Sequence, residues 1–167
     1  VLRSNVKHGD VVLIHSAASA VGQAALHLAV RLGARCVFAT AGTEDKRRWL
    51  SLRYGALYPD VFAADAVGNS RNTSEYEKTI SAALATRGLS AVNVILSSLS
   101  GVLNLSTGFK LLAPSGHFVD IAKRDMLDNN PMPMAGLLKN ITYSSCQLDL
   151  LADANPRAAC KVLESVV

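Results

Sequence analysis

Aromatic residues make up only 5% of this 167-residue sequence, and its basic run carries just Trp49 and Tyr54. Nucleic-acid binding is therefore disfavoured, since stacking platforms among cations are its usual mark. No window approaches the ~18 uninterrupted apolar residues of a membrane span. Cysteine is scarce: Cys36, Cys146 and Cys160 show no CxxC spacing and cannot all pair. Reduced thiols in a cytoplasmic protein are expected rather than a disulfide framework. His8, His15, His27 and His117 neither cluster nor form HExxH, so no metal is assigned. The opening "VLRSNVKHGD" lacks a methionine and a basic-then-apolar signal pattern, and reads as an excised or processed piece. Charge is sparse as well, at 18% with a net of +4. Its basic bias around "DKRRWLSLR" fits either a solvated helix face or a local anion site.

What remains is an apolar chain of the length of one domain with a full core. "DVVLIH" is a short Val/Ile-rich run, as expected of a strand covered on both faces. Val21, Ala24, Ala25, Leu28, Ala29 and Leu32 then recur at helical spacing, and Gly33 stops the helix. "ARCVFAT" is a second buried strand. "TEDKRRWLSLRYG" is a second helix with Thr43 as N-cap and Gly55 as stop. The stretch 56–74 reads as loop with a short strand near Val61 and Phe62. "SEYEKTISAALATRG" is helical and "AVNVILSSL" a strand. A helix through "VLNLSTGFKLLA" is turned by "PSG" into the strand "HFVDIA". "LDNNPMPMAGLLKN" is loop and short helix, "NITYSSCQLDL" alternates as a last strand, and "NPRAACKVLESVV" begins a helix. This order predicts an α/β, doubly wound Rossmann fold of about six mostly parallel strands with helices on both faces.

The first strand runs into the loop Ser16-Ala17-Ala18-Ser19-Ala20-Val21-Gly22. In a dinucleotide turn one glycine permits the tight turn, a second admits the pyrophosphate, and a third packs helix on strand. Ala17, Ser19 and Gly22 stand at those spacings here. With a single glycine, the loop alone fits any small-residue strand-to-helix turn. At the end of the second strand, an NAD site usually places an acid for the ribose hydroxyls. This chain has Thr43 there, then Lys46, Arg47 and Arg48. Cations at that point suit a 2′-phosphate and so NADPH, although a solvated amphipathic helix fits the same residues. Glu44 and Asp45 belong to the helix's first turn, where its dipole favours acids.

Several separated segments agree on one family: "VLIHSAASAVGQAALHLAVRLGARCVFATAGTEDKR", "NSRNTS", "VILSSLSG", "LLAPSGHFVDIAKRD" and "LLKNITYSSCQLDL". Together they resemble the enoyl reductase domain of type I polyketide and fatty acid synthases, in the zinc-free medium-chain dehydrogenase/reductase superfamily. The resemblance implies hydride transfer from NADPH to the β-carbon of an enoyl thioester on an acyl carrier protein, with protonation at the α-carbon. It implies that residues 1–167 are one NADP-binding subdomain, with the substrate-binding part elsewhere. By position it implies catalytic roles for Lys123 of "DIAKRD" and Asp149 of "QLDL". It places Ala18, Ser19, Ala20, Val21 and Gly22 at the pyrophosphate, and Thr43 and Lys46 at the 2′-phosphate. Ser70 and Arg71 fall on the adenosine side, Ser97, Ser98 and Leu99 beside the nicotinamide ribose, and the cofactor-binding Ile121 flanks the next strand end with Lys123. The implied partners are the other domains of a parent synthase, and a homodimer through the last strand. Neither nucleic acid nor membrane is among them.

Departures from the family cluster at the cofactor groove. Ser19 replaces the glycine that faces the phosphates, Ser97 an asparagine, and Ala122 the glycine before the lysine. The stretch "AADAVG" before "NSR" is an insertion. The alternative to an active reductase is thus an inactive pseudo-reductase kept as a structural module of a synthase. A free-standing quinone reductase fits less well, because the "KRD", "KN" and "LD" constellation is that of the synthase domains.

Overall fold

The computed structural model describes residues 5–157 and residue 160. The chain runs β1 (Val11–Ile14), α1 (Ala20–Arg31), β2 (Cys36–Ala41), α2 (Glu44–Leu57), β3 (Gly68–Asn69), α3 (Thr73–Thr86) and β4 (Val92–Ser97). It continues with α4 (Val102–Leu111), β5 (Leu112–Asp120), α5 (Arg124–Leu127), a 3₁₀ helix (Met134–Lys139), β6 (Thr142–Ser145) and α6 (Leu148–Ala154). The six strands form one sheet in the order β3-β2-β1-β4-β5-β6. Every paired neighbour is parallel. The order reverses between β1 and β4, which opens a crevice at the carboxyl ends of those strands.

The apolar pattern explains the layers. Successive side chains of β1 point to opposite faces. Val11 and Leu13 join Phe38, Tyr76, Ile80, Ile95 and Phe118 on the face covered by α3 and α4. Val12 and Ile14 join Leu26, Leu50, Tyr54 and Val94 on the face covered by α1 and α2. Each fully buried large side chain contributes about 1.5–3 kcal/mol. The doubly wound fold predicted from the sequence is the fold observed.

Four local expectations are corrected. Gly55 does not stop α2, which continues to Leu57. A β-carbon at Gly55 would lie 2.8 Å from Ala64 Cβ, so this glycine admits the following loop onto the helix. Val61 and Phe62 form no strand. Phe62 makes one isolated bridge to Val37, and the edge strand lies instead at Gly68–Asn69, inside the stretch expected as loop. "PSG" lies inside β5, where the register against β4 shifts between Val92 and Val94. Finally, β6 ends at Ser145 and "QLDL" enters α6. The Cys146 N–H still reaches the Asp120 carbonyl, but β5 ends there and leaves no ladder to extend. The helix expected from residue 155 onward lies mostly outside the described residues.

The junction of α4 and β5 has no turn residue of its own. Its carbonyls are closed by Lys139 Nζ, which donates to Phe109 O at 3.1 Å, Lys110 O at 2.8 Å and Leu112 O at 3.0 Å. An ammonium has three protons, and all three are used at the helix's negative end.

Candidate functional site

The glycine tasks of the β1–α1 loop are redistributed. The tight turn falls on Ser16, at φ 51°, one residue before the position where the spacing placed it. Left-handed backbone costs a non-glycine residue roughly 1–2 kcal/mol. Here it is held by Ser19 N–H donating to Ser16 O at 2.9 Å and Ser16 N–H to Thr40 Oγ1 at 3.4 Å. Thr40 anchors the loop again through its carbonyl, which accepts the Ala17 N–H at 2.9 Å. Beneath it, His15 is buried, its Nδ1 3.0 Å from Thr40 Oγ1. Burial pulls its pKa down to about 4, so the ring is neutral near pH 7.

Ser19 is the N-cap of α1, and its exposed Oγ accepts the Gly22 N–H at 3.1 Å. Gly22 performs the packing task. A β-carbon there would lie 2.6 Å from both Ala17 Cα and Ser16 O. The amides of Ala18, Ala20 and Val21 have no acceptor among the described residues. They cluster at the positive end of a 12-residue helix, where backbone donors and dipole both favour an anion.

At the end of β2, Thr43 caps α2 and accepts the Lys46 N–H at 3.3 Å. Next to it, the Ser70 N–H reaches Ala41 O at 3.1 Å, which brings the β3 end alongside. A β-carbon on Gly42 would lie 3.1 Å from Arg71 Nε and 3.5 Å from Ser70 Oγ, so the Arg71 side chain lies against the tip of β2. Lys46 and Arg71 are exposed, and neither forms an ion pair among the described residues. Glu44 and Asp45 sit in the first turn of α2.

At the end of β4, Ser97 is buried and spends its hydroxyl on its own turn, 3.4 Å from both Leu99 N and Leu99 O. Ser98 Oγ is buried without a protein partner. Ile121 N–H donates to Ser97 O at 2.9 Å, which ties the β5 end to the β4 end. Lys123 and Asp149, from β5–α5 and α6, meet in an ion pair with both side chains half-exposed. The hydrogen bond from Lys123 holds the Asp149 carboxyl below its usual range.

Sequence reasoning missed two buried acids, Asp120 and Asp125, that flank Lys123 along the chain. Asp120 accepts the Ala122 N–H at 2.9 Å and the Tyr143 O–H at 2.9 Å, and burial raises its pKa. Asp125 accepts the Gly101 N–H at 2.6 Å and the Asn130 Nδ2–H at 2.8 Å. Their letters stand in "HFVDIA" and "KRD", and no spacing there distinguishes a buried acid from a surface one. A cavity of about 270 Å³ between Arg35, Cys36, Asp60 and Arg87 lies at the opposite, amino-terminal edge of the sheet. It is remote from the residues above, all of which gather at the strand carboxyl ends. Among the described residues, no helix is long and apolar enough to cross a membrane.

No family model matches the chain. It is 38% identical over 164 residues to the highly reducing polyketide synthase easB of Emericella nidulans, covering 98% of this chain and 6% of that protein. It is also 38% identical over 162 residues to the highly reducing polyketide synthase cm3B of Cordyceps militaris, covering 97% of this chain and 6% of that protein. The chain thus spans only about 6% of the length of these curated relatives. Among solved structures, a putative enoyl reductase domain of polyketide synthase superposes with a TM-score of 0.79 at 32% identity, covering 99% of this chain and 82% of that one. The nucleotide-binding subdomain of the enoylreductase domain of PpsC from Mycobacterium tuberculosis does so with a TM-score of 0.78 at 32% identity, covering 96% and 81%. Both the sheet order and these likenesses lead to one assignment: the chain belongs to the polyketide-synthase enoyl reductase domains of the medium-chain dehydrogenase/reductase superfamily, and corresponds to their nucleotide-binding half.

Proposed function

We propose that this chain is the NADPH-binding subdomain of an enoyl reductase that saturates the α,β-double bond of a carrier-bound enoyl thioester within a polyketide synthase. The observation that carries the reading is the trio of unused amides at Ala18, Ala20 and Val21, set at the β1/β4 reversal. They suit a pyrophosphate. The Ser19 hydroxyl spends a lone pair on Gly22, so its proton is free to donate to the same anion. Lys46 and Arg71, with no acid at the tip of β2, suit a 2′-phosphate. The orphaned Ser98 Oγ supplies a hydrogen-bonding group for the ribose at the other end.

When bound, the reduced nicotinamide supplies a hydride for the β-carbon. Lys123, oriented by Asp149, is the group we assign to the substrate, where its ammonium positions the thioester or delivers the proton to the α-carbon. The other synthase domains, a homodimer through β6 and a cytoplasmic setting belong to the same proposal. One observation favours the inactive reading: the Ser19 side chain occupies the place of closest approach and consumes the Gly22 amide. Titrating NADPH and NADH into the protein, followed by nucleotide fluorescence, separates the two. The reductase reading expects saturable NADPH binding, clearly tighter than NADH. No binding of either nucleotide sinks it.

A further inference from the structure

The "KRD" turn after β5 sends its three side chains in different directions. Lys123 turns to Asp149, and Arg124 pairs with Asp128 at 2.5 Å on the surface. Asp125 alone turns inward, where it is 8% exposed. Its carboxylate spans two loops. Oδ2 accepts the amide of Gly101, the residue that caps α4 at φ 107°, and Oδ1 accepts from Asn130. Its own carbonyl accepts the Asn130 N–H at 2.9 Å, which closes the turn around it.

Gly101 follows Ser98 and Leu99, so its amide is the point at which the β4–α4 loop is fastened. Ser97 Oγ, which accepts the Leu99 N–H, and Asn104, whose Nδ2 donates to Ser100 O at 2.6 Å, also fasten that loop, but from β4 and α4 themselves. Neither carboxylate oxygen of Asp125 is bonded to a cation, and no described salt bridge includes it. A buried charge satisfied only by an amide N–H and a side-chain amide depends strongly on both.

We infer that Asp125 is a positioning residue: it locks the β4–α4 loop to the Lys123 turn, and so sets the nicotinamide end of the site without touching the cofactor. This rests on the NADPH reading above. The adenosine end, at Lys46 in the first turns of α2 and Arg71 just after β3, lies across the sheet beyond the ends of β2 and β3 and has no bond to Asp125. A loss of the lock should therefore be felt at one end of the dinucleotide only.

The test compares NADPH with adenosine 2′,5′-bisphosphate, which carries the adenosine end alone, on the wild-type chain, Asp125→Ala and Asp125→Asn. Asp125→Ala removes both acceptors and leaves the Gly101 N–H unpaired. Asp125→Asn keeps a carbonyl oxygen for Gly101, and its amide can donate to Asn130 Oδ1 once that carboxamide flips. The expected result is about tenfold weaker NADPH binding in Asp125→Ala, unchanged bisphosphate binding, and recovery in Asp125→Asn. Equal weakening of both ligands, no weakening, or no recovery overturns the proposal. A wild-type chain that binds neither ligand refutes the cofactor reading itself. In that event amide exchange at Gly101 decides: faster exchange in Asp125→Ala, reversed in Asp125→Asn, retains the lock, and unchanged exchange removes it.

Discussion

Whether Ser19 serves or obstructs the anion is decided by replacing it twice. Its Oγ accepts the Gly22 N–H at 3.1 Å. Replacing an N-cap serine by alanine costs about 1 kcal/mol, whereas glycine in its place costs only a few tenths. For a domain of this size, 1 kcal/mol corresponds to about 2–4 °C in the melting temperature. Ser19→Ala is therefore expected to melt a few degrees below wild type, and Ser19→Gly within about one degree of it. Binding should follow a different order. The hydroxyl proton is free, and a hydrogen bond to a charged acceptor is worth about 1.5–3 kcal/mol. Both variants should then bind NADPH at least about tenfold more weakly, by nearly equal factors. Thermal melts and fluorescence titrations on the same preparations read the two quantities separately. If Ser19→Gly binds NADPH more tightly than wild type, the side chain is an obstruction and the donor role is wrong.

Gly22→Ala places a methyl 2.6 Å from two backbone atoms that cannot swing aside. It should cost about 2–3 kcal/mol and lower the melting temperature by roughly 5–10 °C; a shift under about one degree would refute the packing role. Lys46→Ala should reduce the preference for NADPH over NADH by about fivefold, measured as the ratio of dissociation constants, and an unchanged ratio would place the 2′-phosphate elsewhere. His15, neutral and buried with its pKa near 4, binds a proton more readily once unfolded, where it titrates near 6.5. Its contribution is complete above that value and is lost as pH falls toward 4, by about 3 kcal/mol in all. Asp120, raised by burial, contributes with the opposite sign. The difference between wild type and His15→Asn in urea unfolding at pH 7 and pH 4.5 isolates the histidine, and equal acid losses in both would reject its role.

The parts that were legible in the sequence are those written in neighbouring residues. "VVLI" and "CVFA" are unbroken apolar runs because both faces of their strands are covered. Thr43 announced the start of α2, and Gly33 marks the end of α1 with φ 84°. What escaped depends on partners far away in the chain. The neighbouring letters do not say that Ser16, not Ala17, takes the left-handed turn, since Thr40, 24 residues away, shares with Ser19 in holding it there. Gly55 resembled a helix stop, and only the approach of Ala64 gives it another purpose. Asp125 and Lys139 each bond a backbone group more than twenty residues away, and such contacts leave no periodic trace. The ion-pair partners Lys123 and Asp149 were named through family likeness; spacing alone would not have joined a strand-end lysine to an acid in a helix.

Lys139 also bears on the order in which the chain assembles. Each βα step from β1 to α2 can be completed by segments that follow directly. The end of α4 cannot, because its carbonyls wait for an ammonium synthesised 27 residues after Leu112. On a chain emerging from its amino end, the opening of β5 stays hydrated until the 3₁₀ segment docks. Contacts of long sequence separation are slow to form, because loop closure must precede their reward. The β1–β2 side of the sheet should therefore consolidate first. The β5–β6 side should be the late, rate-setting half of folding, and the stretch most open to misassembly while it waits.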